Sequence, residues 1–130
     1  MIILTIRTDK PDAELCLYKD TTQLECIQWQ AHRQLAETIH AQITQLLKKH
    51  DKTLHDIHGI GCYKGPGSFT GLRIGLTVAN ALAYSLKVPI FGATGENWHN
   101  TAIDTLLAGH GASAVLPEYG ADVHITAPKQ

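Results

Sequence analysis

The residues best suited to chemistry lie in one run, Lys64-Gly65-Pro66-Gly67-Ser68-Phe69-Thr70-Gly71-Leu72-Arg73-Ile74-Gly75. It follows a short apolar segment and opens an apolar-periodic one, the pattern of a strand, a tight glycine turn and a helix. Amides exposed at such a turn, with a helix N-terminus behind them, hold anions such as phosphate. Gly65, Gly67, Ser68, Thr70, Gly71 and Arg73 are therefore the candidate anion or partner contacts. The spacing is not the phosphate-loop pattern, because no Lys-Ser or Lys-Thr pair closes the glycine run, and it is not the dinucleotide fingerprint. Glycines at this position serve equally to pack a helix tightly on a sheet, and the residue types leave both readings open.

Three other sets of residues invite chemistry. Ser68 lacks the glycines two positions to either side that a nucleophile elbow requires, since Pro66 and Thr70 stand there; it reads as a residue that caps or pins the turn. His50, His55 and His58 are close in sequence but fall on a helix end, a turn and a strand start, with no cysteine or carboxylate completing a zinc spacing. They read as solvated loop histidines, and no metal is expected. Arg73 sits in the first turn of a helix, where a cation opposes the dipole. A compensating partner is expected in Glu14, Asp9, a partner's carboxylate or a phosphate, unless it is an ordinary surface arginine.

The elements that must position these residues follow from periodicity. Ile2 to Ile6 is a β run closed by Asp9, Lys10 and Pro11. Ala13 to Tyr18 alternates Ala13, Leu15 and Leu17 with Glu14, Cys16 and Tyr18, and Lys19-Asp20 turns it into a third strand, about Thr22 to Trp29. Connections this short make antiparallel hairpins. Leu35, Ile39, Ile43 and Leu46 then recur at helical spacing over about Arg33 to Lys49. Thr53 is placed to cap a short turn through Asp56. Ile57 to Tyr63 is a buried strand, and Thr70 to Leu86 a second helix with Leu72, Leu76, Ala79, Ala83 and Leu86 along its apolar stripe. Lys87 to Phe91 is a short strand with Pro89 at its start, and Glu96 to Leu107 a third helix that stops at Gly109. Residues 111–130 have no period and read as an extended tail. The order β-β-β-α-β-α-β-α gives a five-stranded mixed sheet with helices on its faces.

Composition sets the frame. At 130 residues the chain is one domain, able to bury roughly two thirds of its unfolded surface without metal or disulfide support. Its 11 basic and 12 acidic residues leave a formal charge of -1, so nothing draws it unaided to nucleic acid or an anionic membrane. The three cysteines, Cys16, Cys26 and Cys62, lack CxxC spacing and read as small buried hydrophobes in a reducing compartment. No apolar segment reaches the length of a membrane span, and Met1 leads into a strand without a signal peptide. The cytoplasm is the expected location.

The run Gly65 to Gly75, followed by Ala79 and Leu82-Ala83-Tyr84, resembles the bacterial TsaB family. The Ile-Leu-Thr-Ile start, His32, Leu35 and Val88-Pro89-Ile90 extend the likeness over about Ile2 to Thr94. Leu116-Pro117-Glu118-Tyr119 and Ile125-Thr126-Ala127-Pro128-Lys129 resemble the ending of some members. The resemblance implies the actin-like, Hsp70-like and sugar-kinase-like fold. It implies a non-catalytic scaffold role beside the TsaD subunit, which transfers the threonylcarbamoyl group that makes N6-threonylcarbamoyladenosine at position 37 of tRNA. A TsaE-like ATPase joins that complex, and tRNA is met only through it. No cofactor and no catalytic residue of this chain's own are implied.

Two departures matter. Family members carry an acidic residue at the end of the first strand, where this chain has Arg7, which cannot ligate a divalent cation. Too few residues follow the third helix for a second lobe, so residues 1–108 read as a single lobe and 109–130 as a tail. Nucleotide sites in this superfamily lie between two lobes, so a lone lobe is expected not to be an enzyme. The alternatives are a small phosphotransferase or ATPase using the Gly65–Gly71 loop, and a generic α/β interaction domain. The resemblance places the partner contact on the two long helices; the apolar residues expected to serve it are Ile39 and Ile43 of the first and Ile74, Val78 and Tyr84, off the main stripe, of the second. The same face is expected to pair two copies of the chain when no TsaD is present.

Overall fold

The computed structural model describes residues 1–31, 34–67 and 69–116. Five strands, β1 (Ile2–Arg7), β2 (Asp12–Lys19), β3 (Thr22–Gln30), β4 (Gly59–Tyr63) and β5 (Ile90–Ala93), form one sheet in the order β3-β2-β1-β4-β5. The first three pair antiparallel, and β4 and β5 join parallel to β1 and to each other. Short turns permit the antiparallel pairs, whereas the parallel ones need the helical crossovers α1 (Leu35–Lys49) and α2 (Phe69–Leu86). A third helix, α3 (Trp98–Leu107), follows β5. The predicted element order and mixed sheet are both found. Pro89 stands immediately before β5, where its missing N–H costs no ladder bond.

The period-two alternation of the strands sorts the core into two layers. Leu4 and Ile6 of β1 and Ala13, Leu15 and Leu17 of β2 pack with Ile39, Ile43, Leu72 and Leu76 of α1 and α2. Ile3, Cys16 and Tyr18 face the other way, against Ile103 and Leu106 of α3. Burial on both faces explains why β1 reads as a continuous apolar run. At the β3 edge Gln23, Gln28 and Gln30 are exposed, and such polar side chains blunt an open strand. Trp29 ties this edge to α1 by donating from Nε1 to Thr38 Oγ1 at 3.0 Å. The other tryptophan, Trp98, is a core residue, 3 % exposed.

Two expectations are corrected. Ile39 and Ile43 are fully buried on the sheet side of α1, because both belong to the same stripe as Leu35, Leu46 and Leu47; they hold the core and offer nothing to a partner. Cys16 and Cys26 are joined by a disulfide, while Cys62 is free and buried as expected. The cause is register. Tyr18 pairs with Gln23 and Leu17 with Glu25, so Leu24 is an extra residue in β3. That bulge moves Cys26 opposite Cys16, where a regular hairpin would have put Glu25.

The start of the predicted tail is anchored. Ala112 bridges to Ile90, and the Asn80 amide both donates to the Val115 carbonyl (2.9 Å) and accepts from its N–H (2.8 Å). Residues 117–130 lie outside the described residues.

Candidate functional site at the start of the second long helix

Two recesses meet where α2 begins. The first, about 380 Å³, lies between the β1–β2 turn and α2 and is lined by Thr8, Asp9, Lys10, Thr70, Gly71 and Ile74 among others. The second, about 340 Å³, runs between α1 and α2 and is lined by Ala36, Thr70, Arg73, Ile74, Thr77 and Val78. Thr70 and Ile74 border both. The predicted glycine-loop end and part of the predicted partner face therefore form one continuous surface.

The glycine loop is held from below. Gly65 has a φ of 122°, which suits glycine, and the Gly65–Pro66 peptide is cis. Tyr63 Oη donates to the Pro66 carbonyl at 2.7 Å. Gly67 lies against the β1–β2 turn so closely that a Cβ there would stand 2.7 Å from Asp9 Oδ2. One turn into α2, Thr8 Oγ1 donates to the Gly71 carbonyl at 2.7 Å. Tight packing is thus a demonstrated use of Gly67. Ser68 lies outside the described residues, as does His32.

The electrostatics turn on Arg7. Its Nε donates to Asp9 Oδ1 at 2.7 Å and its second terminal nitrogen to Asp9 Oδ2 at 3.2 Å, a fork that engages both carboxylate oxygens. The guanidinium also lies 3.9 Å from the centre of the Tyr63 ring. The carboxylate nearest the glycine loop is therefore engaged by this chain's own arginine. Asp9 is committed to Arg7, and Arg73 is exposed on the first turn of α2.

The remaining predicted residues are dispersed. Ile74 and Val78 are half-buried and border the α1–α2 groove, but Tyr84, 86 % exposed, stands at the far end of α2 beside Lys87, Val88 and Ala112. The three histidines occupy separate settings. His50 Nε2 lies 2.8 Å from Glu25 Oε1, His58 Nδ1 accepts from the Ile2 N–H at 2.9 Å, and His55 is exposed. The buried Cys62 thiol is pushed up to about 12 by desolvation, against a weaker opposing pull from Lys64, which removes it as a nucleophile.

One grouping escaped the sequence. Glu14, Cys16 and His99 bring a carboxylate oxygen, a sulfur and an imidazole nitrogen within 4.8 Å of one another, and this is the group with metal-ligand chemistry among the described residues. Burial holds the His99 imidazole below its ordinary range, with Glu14 pulling the other way. Strand alternation puts Glu14 and Cys16 on one face, but no local signal links them to His99, which arrives on α3 from 83 positions away.

Comparison with known proteins agrees with the fold. A family profile described as "TsaD: tRNA N6-adenosine threonylcarbamoyltransferase" matches residues 29–105, well over half of the chain. The chain is 34% identical over 91 residues to the tRNA threonylcarbamoyladenosine biosynthesis protein TsaB of Buchnera aphidicola subsp. Schizaphis graminum, covering 70% of this chain and 43% of that protein. It is 38% identical over 73 residues to the tRNA N6-adenosine threonylcarbamoyltransferase of Geotalea daltonii, covering 56% of this chain and 21% of that protein. The solved structure of YeaZ from Pseudomonas aeruginosa superposes with a TM-score of 0.66 at 25% identity, over 72% of this chain and 43% of that one. The chain spans less than half the length of these relatives. Among the described residues no helix is long and apolar enough to cross a membrane. Its sheet and flanking helices have the actin-like architecture of YeaZ, and the chain belongs to the TsaD family, on its TsaB side.

Proposed function

We propose that this chain is a non-catalytic scaffold partner of a TsaD-like catalytic subunit in the threonylcarbamoyl transfer that makes N6-threonylcarbamoyladenosine at position 37 of tRNA. The observation that carries this reading is the α1–α2 groove. It presents half-buried Ile74 and Val78, with Ala36 and the Thr70 and Thr77 side chains, on the surface of the two helices within the segment matched to the family. An apolar centre flanked by polar groups is what a protein interface requires. The Arg7–Asp9 fork supports a non-catalytic role, since a carboxylate already bound at both oxygens is a poor ligand for a metal-nucleotide.

In this reading the same groove pairs two copies of the chain when the catalytic subunit is absent, and releases the copy when that subunit binds. A TsaE-like ATPase joins the complex, tRNA is met only through it, and the whole works in the cytoplasm. The test is capture from a lysate of the source organism, with the chain as bait under mild salt. Recovery of a TsaD-like subunit is expected. Recovery of none, with the bait folded, contradicts the assignment.

The 380 Å³ cleft beside the glycine loop favours a second reading, a small phosphotransferase or ATPase that seats phosphate between Thr8–Lys10 and Thr70–Gly71. It predicts steady-state phosphate release from ATP with magnesium, lost in Ser68→Ala. The scaffold reading predicts none.

A further inference from the structure

On the α3 face of the sheet, away from the α1–α2 groove, the Glu14 carboxylate, Cys16 Sγ and a His99 ring nitrogen lie within 4.8 Å of one another. Cys26 Sγ is bonded to Cys16 Sγ, so a fourth donor adjoins the group. We propose that the chain with its disulfide reduced binds one zinc-type divalent ion at Glu14, Cys16, Cys26 and His99, and that closing the Cys16–Cys26 bond expels it.

His99 supplies the independent sign of a missing ligand. Its Nε2 is buried and has no hydrogen-bond partner among the described residues, with Glu14 Oε1 3.9 Å away, beyond hydrogen-bond reach. A buried polar atom left unpaired is costly and calls for an explanation; a metal ion between the two groups gives one. The ring is also preoriented. It stacks on Trp98 at 3.8 Å between centroids, and Trp98 is fixed in the core with its edge to Tyr63.

The backbone brings the other three ligands to the same spot. Glu14 and Cys16 share one face of β2 by alternation, and the bulge at Leu24 sets Cys26 directly opposite Cys16. Zinc takes thiolate, imidazole and carboxylate donors tetrahedrally at about 2.0 to 2.3 Å. Neighbouring donors then lie about 3.5 Å apart, so side-chain shifts of about an ångström close the present spacing of Glu14, Cys16 and His99, and Cys26 Sγ, released from Cys16, turns toward the same point. Two thiolates, one imidazole and one carboxylate form a borderline-soft set that suits zinc rather than magnesium or calcium. Their net charge around a divalent ion is negative, and Arg7, opposite Glu14 in the β1–β2 register, is placed to offset it.

The redox step balances simply. A dithiol donates two electrons to the sulfur–sulfur bond, which breaks, while two protons complete the new thiols and the dithiol becomes a disulfide. Zinc then displaces both thiol protons. Cys16 is fully buried but Cys26 is half-exposed, so a reductant has a sulfur to attack.

The experiment uses the full chain, either oxidised or reduced with a phosphine, which takes up the oxygen of water as the thiols form and leaves no chelating dithiol. Cobalt(II) is titrated as the spectroscopic probe and zinc by calorimetry. The reduced chain is expected to bind one cobalt ion with tetrahedral visible bands and a thiolate charge-transfer band, and the oxidised chain to show neither. Cys26→Ser and His99→Gln should each weaken binding at least about tenfold, as even outer-sphere changes at metal sites do. Glu14→Gln is the third variant should either fail to fold. Absence of the bands from the reduced chain overturns the proposal. So do bands that persist in folded His99→Gln and Cys26→Ser chains but vanish when His50, His55 and His58 are replaced.

Discussion

Thr8 packs against Gly75 with no room for a side chain between them. A Cβ on Gly75 would overlap Thr8 Oγ1 and stand 2.8 Å from Cγ2, while that hydroxyl bonds the Gly71 carbonyl one turn earlier. The contact fixes the start of α2 against the β1–β2 turn, and so fixes both recesses.

Gly75→Ala should therefore destabilise the chain although alanine is the better helix former. The helical gain is about 1 kcal/mol, whereas forcing a methyl into filled space costs about 1–3 kcal/mol, and the Thr8 Cβ at 2.9 Å cannot swing away. Urea unfolding followed by circular dichroism measures the sum. Adding Thr8→Ala to Gly75→Ala should recover part of the loss, because it removes the atoms in the way.

Asn80 holds Val115 by two hydrogen bonds that imitate a strand pair. Asn80→Ala removes both and should speed amide exchange at Ala112 and Val115, with Ile60 in the interior strand β4 little changed. Hydrogen exchange read residue by residue checks this. Unchanged exchange at Val115 would mean that the buried Val115 side chain alone holds the segment.

Glu25 joins the β3 edge to the end of α1. Its carboxylate is held below the ordinary range, first by the hydrogen bond to His50 and then by that to Lys49. A depressed carboxylate contributes stability above its unfolded range and loses it as pH falls through its folded value. Thermal melts across pH 5 to 3 should therefore fall more steeply for the native chain than for Glu25→Gln. Parallel profiles would show that these half-exposed ion pairs contribute nothing.

Much of the fold was legible because alternation and helical spacing are local. Ile2 to Ile6, the Ala13–Tyr18 alternation and the Leu35–Leu46 stripe each announce an element without reference to its neighbours. What depended on one extra residue was not legible. The bulge at Leu24 decides whether Cys16 meets Glu25 or Cys26, and nothing in the hairpin sequence marks it. The glycine run marks the turn ahead of α2, but its residue types leave packing and anion binding open, and only the Asp9 side chain against Gly67 assigns that glycine to packing. Ile39 and Ile43, expected at a partner contact, are core residues instead, because a stripe shows which residues are apolar, not which side is already covered. His99 lay beyond any local signal, since only the tertiary fold brings it to Glu14.

The central claim is that Val78 and Ile74, rather than the buried face of α1, meet the catalytic subunit. Purified chain and purified TsaD-like subunit are mixed and passed through size-exclusion chromatography with light scattering, using native, Val78→Glu and Ile39→Ala chains whose folding is checked by circular dichroism. The native chain should dimerise alone and co-elute with the subunit. Val78→Glu should do neither, because it sets an unpaired charge in the contact. Ile39→Ala should lose about 2–5 kcal/mol of stability through its cavity yet still co-elute where it remains folded. A folded Val78→Glu chain that both dimerises and captures the subunit would contradict the claim.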